Sequence, residues 1–258
     1  MDYQTITLDI ADGVAVLTLN RPDKMNSLTT QMRAEIAFAM RDAAKSARVI
    51  VITGAGRAFC TGQDLGDRGD ATRVDLERTL RDEYQPMLEA IYDCPVPTIA
   101  AVNGPAAGAG ANLALAADVV IAGESAYFLQ AFTRIGLIPD AGGTWFMPRN
   151  MGLAKAMGAA LFADRISARQ ADEWGMIWEA VADDVFEAHW RARAHHLAEG
   201  PTQAYAAVKR AIRGSFESGL PDQLNTEAHL QGKCGKSRDF REGVVAFMEK
   251  RPAVFEGR

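Results

Sequence analysis

The segment TIAAVNGPAAGAGAN, residues 98–112, decides the fold of this chain. It begins with the apolar run 98–102 and passes through closely spaced glycines and alanines to Asn112. The pattern predicts a buried strand, a tight turn and a helix, and the scarcity of β-carbons lets a ligand approach the backbone closely. A helix N-terminus directs free N–H groups at whatever lies there, so the segment predicts a site that holds an oxyanion.

A carboxylate closes the same region. The run Ile138-Pro139-Asp140-Ala141-Gly142-Gly143 follows the strand and helix elements of the opening segment. Asp140 has two interpretations: a turn residue that caps the next helix, or a group that moves protons beside the oxyanion. Burial among apolar neighbours would raise its pKa towards neutrality, and such neighbours are Phe128, Phe132, Leu137, Ile138 and Trp145.

A second loop, residues 54–65, follows a predicted buried strand at 49–53, which contains the continuous apolar run 49–52. Ligands of α/β proteins bind outside the carboxyl ends of parallel strands, and both this loop and the one before Gly108 lie at such ends. Each loop can offer one backbone N–H to a single carbonyl oxygen of a ligand, although ordinary tight turns have the same composition. Neither loop contains the glycine fingerprint of dinucleotide sites or the Gly-Lys-Ser/Thr of a P-loop.

Strands and helices alternate through the first half of the chain, which predicts an α/β class with largely parallel pairing. Asp12-Gly13 predicts a hairpin turn, and Asn26 or Ser27 is the expected cap of the first helix. Beyond residue 143 the sequence reads as almost entirely helical, with candidate helices at 144–162, 167–174, 184–198, 202–217, 221–234 and 237–250. The break at 199–201 divides a core, residues 1–200, from a C-terminal helical lobe, residues 201–258.

Composition excludes several classes of function. The chain has 258 residues, 48% of them hydrophobic, and a net charge of −5, which argues against a sequence-independent grip on nucleic acid. Its three cysteines lie far apart, and the N-terminal residues lack a basic-then-apolar leader, so we expect a cytoplasmic protein. We expect no membrane span, and no metal site because the four histidines lie far from both glycine loops.

Several separated motifs, which occur in the order typical of the crotonase (enoyl-CoA hydratase/isomerase) superfamily, resemble that family over essentially the whole chain. They are Asn20-Arg21-Pro22, the run 57–65, Ala101-Val102-Asn103-Gly104, Asp118 and Gly142-Gly143-Thr144. Within the family, the runs 136–145, 148–149 and 173–178 are most similar to isomerases of ring-epoxidised phenylacetyl-CoA. The resemblance implies a ββα superhelix core whose C-terminal helical lobe forms a homotrimer or a dimer of trimers.

The resemblance also implies roles for individual residues. The oxyanion hole falls on the backbone N–H groups of Gln63 and Ala109, and the isomerases' catalytic aspartate falls on Asp140. The two glutamates that hydratases use are replaced by Asn112 and Phe132. The family therefore implies an acyl-CoA isomerase that acts on 3-enoyl-CoA or 1,2-epoxyphenylacetyl-CoA. A low-activity hydratase and a non-catalytic binder of CoA esters are the alternatives.

Substrate contacts are expected along both loops and near the C-terminus. Coenzyme A is part of the substrate, and the resemblance implies no further cofactor and no metal. Residues 66–70 have the composition of a mobile loop that covers the acyl group. The expected substrate-binding residues are Lys24, Met25, Arg57, Ala58, Asp64, Leu65, Gly108, Asn112, Phe132 and Phe255, although Lys24, Met25 and Arg57 also fit ordinary surface positions.

Overall fold

A computed structural model describes residues 2–67 and 75–257 of the chain. Its strands are β1 (Ile6–Ala11), β2 (Val14–Leu19), β3 (Val49–Gly54), β4 (Thr98–Val102), β5 (Ala106–Ala107), β6 (Val119–Gly123), β7 (Tyr127–Leu129), β8 (Arg165–Ser167) and β9 (Glu179–Val181). Its α-helices are α1 (Thr30–Ala43), α2 (Leu76–Thr79), α3 (Gln85–Tyr92), α4 (Ala109–Leu115), α5 (Gly143–Phe162), α6 (Ala168–Glu173), α7 (Asp183–Glu199), α8 (Thr202–Gly214), α9 (Leu220–Cys234) and α10 (Arg238–Glu249). A π-helical turn, Leu80–Tyr84, joins α2 to α3.

The main sheet has six strands in the order β1-β2-β3-β4-β6-β9. β1 and β2 form an antiparallel hairpin, and every later pair in this sheet is parallel. A three-stranded sheet, β5-β7-β8, lies beside the glycine-rich turn. The α/β class with largely parallel pairing is therefore confirmed. Because parallel strands end at one edge, the loops after β3 and β4 meet there.

The hairpin turn matches its prediction. Asp12 and Gly13 have φ values of 51° and 77°, the left-handed pair that a two-residue hairpin loop requires. The predicted start of the first helix is wrong by a few residues. Thr29, not Asn26 or Ser27, caps α1 by accepting a hydrogen bond from the Met32 N–H.

Asn26 serves the loop after β3 instead. It is fully buried, and its side-chain amide donates to the carbonyl oxygens of Ala55 and Ala58 at 2.9 and 2.8 Å. Its Oδ1 accepts the Arg21 N–H at 2.9 Å. A residue committed to these long-range bonds cannot also cap a helix, and sequence spacing alone does not reveal that commitment.

The C-terminal half contains the six predicted helices, with ends that shift by a few residues. The expectation of an almost entirely helical half missed β8 and β9. Each has three residues, too few for a strand periodicity to appear, and β9 nevertheless extends the main sheet beside β6. The predicted helix at 144–162 also hides a kink, because Gly152 has φ 77° and ψ 163° inside α5.

Helix α8 is tied to the sheet by partly buried ion pairs. Lys209 and Arg213 of α8 each reach the Asp118 carboxylate at 2.7 Å. Asp118 itself accepts the Thr98 N–H at 2.8 Å, at the start of β4. The division at residue 200 stays a prediction. None of the helices in the described ranges is both long and apolar enough to cross a bilayer.

Candidate active site

The two glycine-containing loops pack backbone against backbone at the carboxyl edge of the sheet. Cys60 and Ala106 form a parallel bridge, in which the Ala107 N–H donates to the Cys60 carbonyl at 2.9 Å. A β-carbon added to Gly110 would lie 2.3 Å from that same carbonyl oxygen, so only glycine permits this approach. The predicted convergence of the two loops is therefore observed.

Gln63 and Ala109 lie on facing segments of these loops. A β-carbon built on Gly62, the neighbour of Gln63, would lie 3.4 Å from the Ala109 nitrogen. Leu28 donates to the Gly62 carbonyl at 2.7 Å and accepts from the Asp64 N–H at 3.0 Å. In such a parallel bridge Leu28 bonds to the residues on either side of Gln63. The N–H of Gln63 itself therefore points away from Leu28.

Both N–H groups can bind an external oxygen. Ala109 is the first residue of α4, where a helix N–H has no intrahelical acceptor. Among residues 2–67 and 75–257, no acceptor engages the N–H of Gln63 or of Ala109. The backbone geometry at Gly108, with φ 54° and ψ −130°, places the α4 N-terminus here and is one that other residues rarely adopt. The buried Phe132 ring lies beside this glycine.

Asp140 lies in a strained turn before α5. The two residues after it, Ala141 and Gly142, have φ values of 47° and 82°, and the left-handed conformation costs alanine about 1 kcal/mol. The Gly143 N–H closes the turn by donating to the Asp140 carbonyl at 2.8 Å. Strain of this kind persists only where surrounding contacts fix the conformation.

The Asp140 carboxyl group is largely buried. Its Oδ1 is enclosed and finds no hydrogen-bond partner within the part of the chain that the structure describes. Burial raises the pKa of Asp140 from 3.8 to about 6, and a hydrogen bond from its own backbone N–H offsets only part of that rise. The carboxyl group therefore exchanges a proton near neutral pH, as an acid/base catalyst requires.

Tyr84 contacts the Gln63 side chain and lies near enough to Asp140 for the Asp140 charge to affect its pKa. Its hydroxyl donates to the Gln63 side-chain oxygen at 3.4 Å and is itself buried. Burial raises the pKa of Tyr84 above its ordinary value, the Arg33 guanidinium opposes that rise, and the Asp140 charge adds to it. Tyr84 was not predicted as a site residue, because a tyrosine at helical spacing does not reveal the partners of its hydroxyl group.

Asn112 holds the Asp140 turn. It is fully buried on α4, one turn after Ala109, and its Nδ2 donates to the Asp140 carbonyl at 2.8 Å. Its Oδ1 accepts from Gln130 Nε2, also at 2.8 Å. Gln130 is fully buried and was missed; the available signal was a lone amide directly after the apolar strand β7.

The other predicted substrate contacts divide into exposed residues at the edge of the site and buried residues inside it. Lys24 and Arg57 are exposed, and Arg57 reaches the Met25 sulfur at 3.7 Å, so these residues lie together on a basic rim. Ala58 is buried, whereas 61% of Leu65 is exposed.

Asp64 braces its own loop. Its carboxylate pairs with Arg21 at 2.9 Å and accepts from the Gly66 N–H at 2.9 Å. Burial alone would raise the pKa of Asp64, but these bonds and that from Ser27 outweigh it and lower the pKa.

Phe255 is not brought to this site within one chain. Its carbonyl accepts from Arg48, which lies just before β3 and therefore at the opposite edge of the sheet. Contact between Phe255 and the CoA ester stays a prediction. Of the predicted covering loop at 66–70, residues 68–70 lie outside the described residues.

Cys60 lies in the loop after β3 but lacks the properties of a nucleophile. Cys60 is fully buried, and burial raises the pKa of its thiol to about 12, far from a reactive thiolate. Within the described ranges, no three His, Cys, Asp or Glu side chains gather as a metal-binding group.

Comparison with known proteins identifies the family. The model of the enoyl-CoA hydratase/isomerase family matches residues 9–258. A Rhodobacter capsulatus protein named probable enoyl-CoA hydratase is 62% identical over 100% of both chains. The 1,2-epoxyphenylacetyl-CoA isomerase of Escherichia coli K12 is 45% identical over 96% of this chain and 97% of its own.

The fold agrees with that assignment. The crystal structure of an enoyl-CoA hydratase from Bacillus anthracis superimposes with a TM-score of 0.92 at 32% identity, covering 99% of this chain and 100% of that one. The expected crotonase fold is thereby confirmed. The chain belongs to the enoyl-CoA hydratase/isomerase family, the crotonase superfamily.

Proposed function

We propose that the protein is an acyl-CoA isomerase that works through a thioester enolate, with Asp140 as its single acid/base. One observation carries the proposal: a largely buried carboxyl group with a pKa of about 6 belongs to a turn that is hydrogen-bonded to α4, the helix that begins with the free N–H of Ala109. The substrate class is 3-enoyl-CoA or 1,2-epoxyphenylacetyl-CoA. Sequence similarity to the Escherichia coli isomerase supports the second substrate.

With 3-enoyl-CoA as substrate, the proposed reaction moves one proton between two carbons, so the product is an isomer of the substrate. The Asp140 carboxylate takes a proton from C2, between the thioester and the double bond, and the electron pair moves onto the thioester oxygen. The N–H groups of Gln63 and Ala109 donate to the resulting oxyanion. Protonated Asp140 then gives the proton to C4, which transposes the double bond to C2–C3.

The hydratase alternative is favoured by one finding, the name of the Rhodobacter capsulatus relative. Hydration needs a group that orients and deprotonates water. At the two positions that carry hydratase glutamates in the family, this chain has the buried Phe132 and Asn112, whose amide is bonded to Asp140 and Gln130. Neither side chain is a base at neutral pH.

A substrate screen tests the proposal. Purified protein is incubated with 3-enoyl-CoA, 1,2-epoxyphenylacetyl-CoA and crotonyl-CoA, and the products are separated by chromatography. We expect isomerised products from the first two esters and little 3-hydroxybutyryl-CoA from the third. Rapid hydration of crotonyl-CoA would establish the hydratase alternative, and tight binding of all three esters without turnover would establish the non-catalytic binder.

The pH dependence follows from the pKa of Asp140. Proton removal needs the Asp140 carboxylate. We therefore expect kcat to fall as the pH drops below about 6, because the carboxylate then binds one proton. Stability has the opposite trend. The pKa of Asp140 is about 6 in the folded state and 3.8 ordinarily, so its protonation adds about 3 kcal/mol to the free energy of unfolding. This contribution is fully present below pH 3.8 and is lost as the pH rises through 6.

Urea unfolding between pH 3.5 and 8 measures this stability change. Glu35 and Asp64 have lowered pKa values and contribute the opposite slope, so the informative quantity is the difference between wild type and Asp140→Asn. We expect the variant to gain stability over the wild type as the pH rises from 4 to 7. A difference that does not change with pH would contradict the raised pKa.

The remaining expectations form part of the proposal. The partner molecule is an acyl-CoA thioester, with the exposed Lys24 and Arg57 on the rim suited to CoA phosphates. Val208 and Ile212 of α8, together with Phe216 just after it, are exposed apolar residues that suit contacts in a homotrimer or dimer of trimers. We propose a cytoplasmic enzyme of phenylacetate or fatty-acid degradation that needs no cofactor beyond its CoA ester.

A further inference from the structure

Two buried amides stand behind the Asp140 turn and form a directed chain of hydrogen bonds. Gln130 Nε2 donates to Asn112 Oδ1 at 2.8 Å, and Asn112 Nδ2 donates to the Asp140 carbonyl at 2.8 Å. Both side chains are fully buried. We call Gln130 and Asn112 together the amide clamp.

The direction of this chain is fixed by chemistry. The Asp140 carbonyl can only accept, so Asn112 must present its NH₂ group there and its oxygen to the other side. That oxygen then needs a donor, which Gln130 supplies. Removing the donor leaves a buried acceptor unpaired and frees the Asn112 amide to rotate.

The amide clamp holds a turn whose backbone is strained. Ala141 occupies the left-handed region with φ 47°, and Gly143 packs so closely that a β-carbon there would lie 2.4 Å from Asn112 Nδ2. The Asp140 carbonyl accepts from both the Gly143 N–H and Asn112. Two donors on one carbonyl hold Asp140 where its carboxyl group stays enclosed.

We propose that Gln130, acting through Asn112, is a positioning residue that fixes the Asp140 turn and so keeps its carboxyl group buried and aimed at the substrate. The inference rests on the proposed isomerase function for its kinetic consequences only. It also explains the amide at residue 112. A carboxylate there has no hydrogen to give to the Asp140 carbonyl and would add a negative charge beside the buried Asp140.

The test replaces Gln130 by methionine, which keeps the length of the side chain and removes its donor. We expect kcat for 3-enoyl-CoA isomerisation to fall about tenfold, the effect of one oriented hydrogen bond, with KM within about twofold. The midpoint of the acidic fall in kcat should also move below pH 6, because a loosened turn exposes Asp140 to water. The matched control is Gln85→Met, at an exposed position on α3.

Rescue separates positioning from general destabilisation. Adding Ala141→Gly to Gln130→Met removes the steric cost of the left-handed turn, so we expect kcat to recover at least threefold. Asn112→Asp, with the same shape but no N–H, should lose more kcat than Gln130→Met. An unchanged kcat, or a loss that comes with an unshifted pH profile and no rescue by glycine, overturns the proposal.

A separate readout keeps this test independent of the reaction. Titrating Asp140 through the pH dependence of urea unfolding needs no substrate and reports whether its carboxyl group remains buried. In Gln130→Met the stability change between pH 4 and 7 should be smaller than in the wild type. If the wild type isomerises none of the esters but the stability change is still smaller in Gln130→Met, the amide clamp is supported and the proposed function fails. If Gln130→Met and the wild type have the same stability change, the amide clamp is overturned.

Discussion

Replacing Asp140 by asparagine is expected to lower kcat for 3-enoyl-CoA isomerisation by about 10³-fold, while the affinity for the CoA ester stays within about twofold. Asparagine keeps the shape of the side chain and cannot accept a proton at neutral pH. Within the described residues, Asp140 is the carboxylic acid whose pKa is raised towards neutrality beside the Gln63 and Ala109 loops. Steady-state kinetics with isothermal titration of a non-reactive CoA thioester measures the two quantities separately.

The control for this experiment is Asp164→Asn. Asp164 is an exposed aspartate after α5, and the same substitution there removes a charge without touching the loops. We expect its kcat to match the wild type. Turnover by Asp140→Asn within tenfold of the wild type, with unchanged binding, would show that another group moves the proton, and Tyr84 would be the next candidate.

The sequence predicted the parts of the site that depend on local pattern. The apolar run before Gly104 and the glycines after it identified a strand, a turn and a helix start, and the structure has β4 and α4 there. The convergence of this turn with the loop at Gly62 followed from the rule that parallel strands end at one edge. Strand direction and residue size were sufficient for this part.

The sequence could not predict the partners of buried polar groups. Asn112 looked free to bind a substrate, yet both ends of its amide are used inside the protein, by residues 18 and 28 positions away. Such bonds depend on the register between elements that are distant in sequence, which periodicity does not encode. The short β9 escaped prediction for a related reason, because its pairing with β6 and not its own pattern makes it a strand.

The second large effect is expected from Ala109→Pro, which removes one oxyanion donor. Residue 109 is the first residue of α4, a position where helices tolerate proline because no intrahelical bond is lost. The substitution deletes the N–H and places a ring carbon where the oxyanion would lie. Loss of one such donor costs about 3 kcal/mol of transition-state stabilisation, so kcat should fall about 10²- to 10³-fold.

Leu220→Pro controls for the cost of proline at a helix start, since Leu220 is the first residue of α9 and 70% exposed. Comparing the melting temperatures of the two variants shows whether Ala109→Pro retains the fold. A folded Ala109→Pro protein that keeps wild-type kcat would remove Ala109 from the oxyanion hole. The losses of kcat expected for Asp140→Asn and for Ala109→Pro also differ in kind, and exchange of the substrate C2 proton with deuterated water separates them. In Asp140→Asn the exchange stops because the base is absent. In Ala109→Pro a slow exchange continues because the Asp140 carboxylate is still in place.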